Sequence, residues 1–70
     1  MELAVGDRVC LSQSPPFFKT AEPMPMLRPP DTVALADEGM ITEQRPGKTW
    51  VVRFDRGSFL VDSDYLRKLG

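Results

Sequence analysis

The sequence contains no histidine and only one cysteine, Cys10. Histidine is the commonest general base and a frequent metal ligand, so its absence argues against most acid–base and metal-dependent catalysis. A single cysteine cannot form an internal disulfide or a thiolate metal cage, and without a histidine partner we expect an inert thiol. The five glycines are isolated turn residues and form no phosphate-binding loop. We therefore expect no catalytic residue, no cofactor, no metal and no enzymatic activity.

The chain also lacks a charge excess and a long apolar run. Nine basic and ten acidic residues give a net charge of −1, whereas nucleic-acid-binding domains usually carry a strong basic excess. The apolar runs are far shorter than a membrane span requires. The beginning, MELAVGDRV, has no basic start followed by an apolar stretch, so it does not resemble a secretory signal. We expect a cytoplasmic monomer that binds no nucleic acid and does not insert into a membrane.

What the sequence does contain is a series of short strand patterns. Its 70 residues suffice for one small domain with a thin core, which we assign to residues 1–70. Alternating apolar and polar residues predict strands, which cover Asp7–Gln13, Glu38–Arg45, Thr49–Asp55 and Ser58–Asp62, with one helical turn and a last short strand within Ser63–Gly70. The stretch TVALADE, residues 32–38, is compatible with either a short strand or a helical turn.

A proline-rich segment separates the first two strands. Six of the seven prolines fall between Pro15 and Pro30. Proline lacks the N–H donor and fixes φ, so this segment is predicted to be a long ordered loop, largely in polyproline-II geometry. Five strands with one long first connection predict an all-β fold, a small five-stranded SH3-like barrel, because closure removes exposed strand edges.

The alternation also predicts which side chains form the core. Val9 and Leu11 share one face of their strand, and Cys10 lies on the other. Trp50, Val52 and Phe54 share the core face of the next strong strand, although Trp50 lies near the Pro46–Gly47 turn and is expected to be half exposed. Val51 lies on the opposite, outward face of this strand. Most outward positions are charged, so we expect a solvated face that includes Arg53, Asp55, Arg56, Asp62 and Asp64.

Several residues of the proline-rich segment are candidates for contact with a partner. Met24 and Met26 either cap an open end of the barrel or remain exposed as an adaptable binding surface. Phe17 and Phe18 point to opposite sides of an extended chain, so one enters the core and the other lies near the surface. The predicted partner-binding residues are Phe18, Lys19, Met24, Met26, Leu27, Arg28, Trp50 and Arg53.

The combination of GDRV, KTAEPMPMLRPPD, EGMI, WVVRF, RGSFL and DSDYL resembles the cyanobacterial SipA family over Gly6 to Leu66. These are small SH3-like regulators of the sensor histidine kinase NblS. The resemblance implies a non-catalytic adaptor that binds the ATP-binding catalytic domain of an NblS-type kinase. It further implies that the adaptor stimulates autophosphorylation in high-light and nutrient-stress signalling.

Two alternatives to the kinase adaptor remain open. WVVRFD and GDRV also look like parts of the small photosystem I stromal subunit and of the variable chain of ferredoxin–thioredoxin reductase. The first alternative is therefore a small accessory subunit that docks on a photosynthetic electron-transfer complex or on ferredoxin. The second is a nucleic-acid-binding barrel of the ribosomal kind, which the near-zero net charge disfavours.

Overall fold

The computed structural model describes residues 3–69; Met1, Glu2 and Gly70, which belong to the predicted domain, lie outside the described residues. Seven strands and two single-turn 3₁₀ helices, at Pro30–Thr32 and Ser63–Tyr65, make up this part of the chain. The strands are β1 (Arg8–Leu11), β2 (Phe18–Thr20), β3 (Leu27–Arg28), β4 (Glu38–Gln44), β5 (Thr49–Phe54), β6 (Gly57–Asp62) and β7 (Leu66–Lys68).

The strands form one antiparallel sheet in the order β3-β2-β6-β5-β4-β1-β7. The predicted all-β class is confirmed. The predicted number of five strands is wrong, because the proline-rich segment contributes two further short strands between β1 and β4. Within residues 3–69, no helix has the length and apolar character needed to cross a membrane.

The proline-rich segment, predicted to be a long ordered loop largely in polyproline-II geometry, contains a small hairpin of β2 and β3. The Thr20 N–H donates to the Met26 carbonyl at 2.9 Å, and the Met26 N–H donates to Thr20 Oγ1 at 2.8 Å. Thr20 is buried, whereas Met26 is half exposed, so the bond to Thr20 Oγ1 is partly buried. β3 ends after two residues and lies at the edge of the sheet, where the prolines that follow it need no partner for a missing N–H.

The middle of the sheet is a meander of β4, β5 and β6. The predicted strand boundaries agree with the observed ones to within one residue in this region. β4 contains a register shift between Ile41 and Glu43, and such a bulge bends a strand and increases its twist. In the two hairpin turns Gly47 and Gly57 have φ values of +77° and +133°, which L-residues rarely adopt.

The core is one cluster on the inner face of the sheet. It draws side chains from six of the strands, so the sheet curves around it: Val9, Leu11, Phe18, Val33, Ile41, Trp50, Val52, Phe54, Phe59, Val61 and Leu66. Val9, Leu11, Trp50, Val52 and Phe54 are confirmed as core residues. The expectation of a half-exposed Trp50 is wrong, since its side chain is only 8% exposed on the core face opposite Val61.

Two outward positions are buried where the alternation predicts exposure. Cys10 is covered by the neighbouring strand, and the Arg67 Nη2 group donates to its Sγ at 3.3 Å. Val51 is buried on the outer face between Glu43 and Leu60, its partners on β4 and β6. In both cases the burial comes with neighbours on adjacent strands, which a single strand's pattern cannot reveal.

Candidate protein-binding surfaces

The structure exchanges the roles predicted for the two adjacent phenylalanines. Phe18 is 1% exposed and its ring lies 5.4 Å from that of Phe59, whereas Phe17 is 49% exposed. The predicted partner-binding residue Phe18 is therefore a core residue, and Phe17 is the exposed member of the pair. The reason is register: Thr20 pairs with Phe59 on the core face, so Phe18, two residues earlier, points into the core as well.

Trp50 is likewise part of the core and presents almost no side-chain surface to a partner. Burial removes Phe18 and Trp50 as contact residues in the folded state. The other six predicted contact residues are exposed: Lys19, Met24, Met26, Leu27, Arg28 and Arg53. Their contact with a partner stays a prediction.

Four of these six lie within five consecutive positions, and we call them the methionine edge: Met24, Met26, Leu27 and Arg28. Met24 is 83% exposed, Met26 52% and Leu27 65%. They lie on the β2–β3 turn and on edge strand β3, which has a neighbour on one side only. Of the two alternatives for the methionines, the structure shows exposure and not the capping of a barrel end.

Lys19, Leu27 and Arg53 share the outer face of the sheet. Lys19 is paired with Leu27 on one side and with Leu60 on the other, and directly paired residues point to the same face. Leu60 is paired with Val51, and Arg53 lies two residues further along β5 on that face. The sheet thus joins side chains from distant parts of the sequence into one surface.

A groove of about 480 Å³ opens at one end of this outer face. Its lining comes from three parts of the chain: the segment before β2, the facing ends of β5 and β6, and Tyr65 of the second 3₁₀ turn. The full lining is Pro15, Pro16, Phe17, Lys19, Thr49, Leu60, Val61, Asp62 and Tyr65.

The groove exists because the ladder between β2 and β6 stops early. Ser58 accepts a hydrogen bond from Ala21 N at 3.0 Å, and Lys19 is paired with Leu60. The next two positions of this ladder would pair Phe18 with Val61 and Phe17 with Asp62, but no pair of the described residues continues it beyond Lys19. Pro15 and Pro16, which precede Phe17, cannot donate to a ladder either.

Opposite charges border the groove. No carboxylate of residues 3–69 forms an ion pair with Lys19. Asp62 Oδ1 accepts a hydrogen bond from Thr49 Oγ1 at 3.1 Å, and the carboxylate is exposed. Just outside the groove, Lys48 Nζ lies 4.0 Å from Asp64 Oδ1 in an exposed pair. The groove therefore has a cation on its β2 side and an anion at the end of β6.

Of the groove residues, sequence reasoning selected only Lys19 as a contact residue. The available signals were the PPFF string before β2 and the apolar residue at an outward position of β6. They become informative only with the strand pairing, which the sequence does not provide. Among residues 3–69 the structure brings together no group of three or more side chains of the metal-binding types.

Comparison with known proteins assigns the chain to a family. The family model described as Protein CHLORORESPIRATORY REDUCTION 42-like matches residues 5–66. The chain belongs to this family. It is 35% identical over 69 residues to Protein CHLORORESPIRATORY REDUCTION 42, chloroplastic, from Arabidopsis thaliana. The match covers 97% of the chain and 57% of that relative, so the chain spans little more than half of the relative's length. No solved structure matches.

This family assignment overturns the resemblance to SipA and what it implied. The match includes the proline-rich segment, so the string that suggested SipA belongs to a different family. The kinase-adaptor function and the histidine-kinase partner are therefore wrong. The expectation of a cytoplasmic location is overturned as well, because the relative is a chloroplastic protein. Strings such as GDRV and WVVRF are a turn and an alternating strand pattern that are typical of small β domains, so they do not distinguish one family from another.

Proposed function

We propose that the chain is a small accessory protein of photosynthetic electron transfer that docks on a protein complex serving chlororespiratory reduction. The family match and the name of the Arabidopsis relative support this role. It is the accessory-subunit alternative that the strand pattern left open. We place its site of action in the chloroplast, as for that relative.

The methionine edge is the observation that carries a docking role. Full burial of a large apolar side chain contributes about 1.5–3 kcal/mol. Met24, Met26 and Leu27 are half or more exposed, so covering all three would contribute several kcal/mol before the cost of association. Buried Thr20 bonds the backbone of Met26 on both its amide and its carbonyl side, and the prolines restrict the unfolded chain. The surface is thus ordered before a partner arrives.

A non-catalytic role is part of the proposal. The sequence has no histidine, and the thiol of Cys10 is buried against Arg67. A buried thiol without a general base is a poor nucleophile. We therefore assign the function to binding surfaces and not to a reaction centre.

We further propose that the curved sheet is an SH3-like barrel. β1 lies between β4 and β7, so the first and last strands of the sequence are neighbours. β4 is bent by its bulge, and a 3₁₀ turn precedes β7. An experimental structure in which β1 pairs with only one of these two strands would contradict this assignment.

The docking role is tested by gene deletion in the photosynthetic host, with the dark re-reduction of its electron carriers as the readout. We expect the deletion to slow re-reduction and the native chain to restore it. A variant with Met24, Met26 and Leu27 all changed to Ser should fold but restore little of the re-reduction rate. The matched control changes Val5 and Leu35 to Ser, two exposed apolar residues outside the methionine edge, and should restore fully.

Each outcome has a distinct meaning. A deletion without effect on re-reduction would overturn the proposed function. Full restoration by the triple variant would keep the function but remove the methionine edge as its docking surface. Urea unfolding followed by the fluorescence of Trp50 verifies that both variants are folded, because this single tryptophan lies in the core.

A further inference from the structure

The groove beside Phe17 has the shape and chemistry of a peptide-binding site. Its lining includes the apolar segment Pro15–Phe17, the side of Leu60 and Tyr65. Grooves lined by aromatic side chains bind extended proline-containing segments, whose polyproline-II conformation loses little entropy on binding. The groove lies at the opposite end of β2 from the β2–β3 turn, and it adjoins the methionine edge only where Lys19 pairs with Leu27.

The end of β6 offers the groove a backbone donor. In an antiparallel ladder, alternate residues of a strand bond to the neighbour on each side. Ser58 and Leu60 are paired toward β2, and Ser63 N–H donates to the Lys48 carbonyl at 2.8 Å on the β5 side. Asp62 is next in the β2-facing series, so its N–H faces the gap where the ladder has stopped. An extended ligand can accept this hydrogen bond.

Charge determines which extended segment fits. Lys19 stands beside Leu60, and Asp62 lies two residues further along β6, a separation of about 7 Å along the strand. A polyproline-II chain rises about 3.1 Å per residue. Two opposite charges on such a chain match this pair when they are separated by about two to four residues, once side-chain reach is included.

We propose that the groove binds an extended, proline-containing segment of a partner protein, with an acidic side chain toward Lys19 and a basic side chain toward Asp62. The inference rests on the proposed function, since it supplies a second contact for the same docking protein. Apolar residues between the two charges pack on Leu60 between Phe17 and Tyr65. The proposal leaves the direction of the bound chain to the experiment, because the charges alone define the two ends.

Four synthetic peptides test the proposal on the full chain. Acetyl-EPLPR-amide and acetyl-RPLPE-amide carry opposite charges four positions apart, and each meets the charge pattern in one chain direction. Acetyl-RPLPR-amide and acetyl-EPLPE-amide are like-charge controls. We expect one mixed-charge peptide to bind at least about fivefold more tightly than both controls, and to shift the amide NMR signals of Phe17, Leu60 and Asp62 more than those of the methionine edge.

Variants of the protein distinguish recognition of the peptide charges from non-specific binding. Exchange of the two charges, Lys19→Glu with Asp62→Lys, should invert the preference between the two mixed-charge peptides. Phe17→Ala should weaken binding about fivefold or more, whereas Met26→Ser, the control on the methionine edge, should leave it unchanged. If the exchange variant does not fold, Lys19→Gln and Asp62→Asn replace it, and each should reduce the mixed-charge preference. Asp62→Asn keeps an oxygen acceptor for Thr49.

The proposal is overturned if the like-charge peptides bind as tightly as the mixed-charge ones, if the shifts map to another surface, or if no peptide binds at millimolar concentration. These results do not depend on the deletion experiment. Peptide binding without a deletion effect would support the groove as a binding site and reject the electron-transfer role. A deletion effect without peptide binding would reject only the groove as a binding site.

Discussion

Gly39 is the position where a single methyl group should affect stability most. It lies in β4 opposite Val9, on the core side of the sheet. A Cβ at this position would lie 2.7 Å from Val52 Cγ1 and 2.8 Å from Phe54 Cε1. Carbon atoms in contact are normally about 3.5–4.0 Å apart. Gly39→Ala therefore requires both buried side chains to move by roughly 0.7 Å or more.

The size of the effect follows from two opposing terms. Overpacking of a core costs about 1–3 kcal/mol, and the contact with both Val52 and Phe54 places this site in the upper half. Gly39 is not among the residues with positive φ, so alanine gains about 0.4–1 kcal/mol by restricting the unfolded chain. The net cost is about 2 kcal/mol. A domain of this size has a total stability of roughly 3.5–10 kcal/mol, so the loss is large.

Urea unfolding monitored by Trp50 fluorescence measures this cost. A slope of about 1 kcal/mol per molar urea makes the expected shift of the midpoint roughly 2 M downward. The double variant Gly39→Ala with Val52→Ala should lose about 1 kcal/mol less unfolding free energy than the two single variants lose in sum. The reason is that the smaller side chain at position 52 relieves one clash. A cost of Gly39→Ala below about 0.5 kcal/mol would refute the close approach of β4 to this part of the core.

Three further predictions concern the hairpin and the buried thiol. Phe18→Ala should lower the free energy of unfolding by about 3–5 kcal/mol, and Phe17→Ala by less than about 1.5 kcal/mol, in the same urea assay; equal costs would contradict the register of β2. Thr20→Val should cost about 1–3 kcal/mol, because the Met26 N–H loses its acceptor, and amide exchange at Met26 should accelerate; an unchanged exchange rate would argue against this hydrogen bond. Cys10 should react with a thiol reagent on the order of a hundredfold more slowly in the native than in the unfolded protein, and fast native labelling would show that β7 does not cover it.

The strand plan was predictable because period-two alternation is a local property. Thr49–Phe54 and Gly57–Asp62 agree with their predictions to within one residue at each end. The same alternation correctly placed Val9 and Leu11 in the core. These features depend only on neighbours in the sequence and on the preference of apolar side chains for one face of a half-buried strand.

The surface was less predictable because it depends on pairing between strands. Alternation shows that Phe17 and Phe18 point to opposite sides, but only the register with β6 shows that Phe18 enters the core. Burial of Cys10 depends on Arg67, which is 57 residues away in the sequence. The groove lies where the β2–β6 ladder stops at Lys19 and Leu60, and the absence of further pairs leaves no local signal in the sequence.

The proline-rich segment takes part in both candidate surfaces. Pro15 and Pro16 line the groove where the β2–β6 ladder has ended, and Pro29, which lacks an N–H, directly follows the two residues of edge strand β3. The turn between β2 and β3 holds Met24 exposed, although the core of so small a domain is thin. Burial of one such side chain would add about 1.5–3 kcal/mol to a total stability of roughly 3.5–10 kcal/mol. A fold that needs apolar contacts and yet holds these side chains in water has the property expected of a surface completed by a partner.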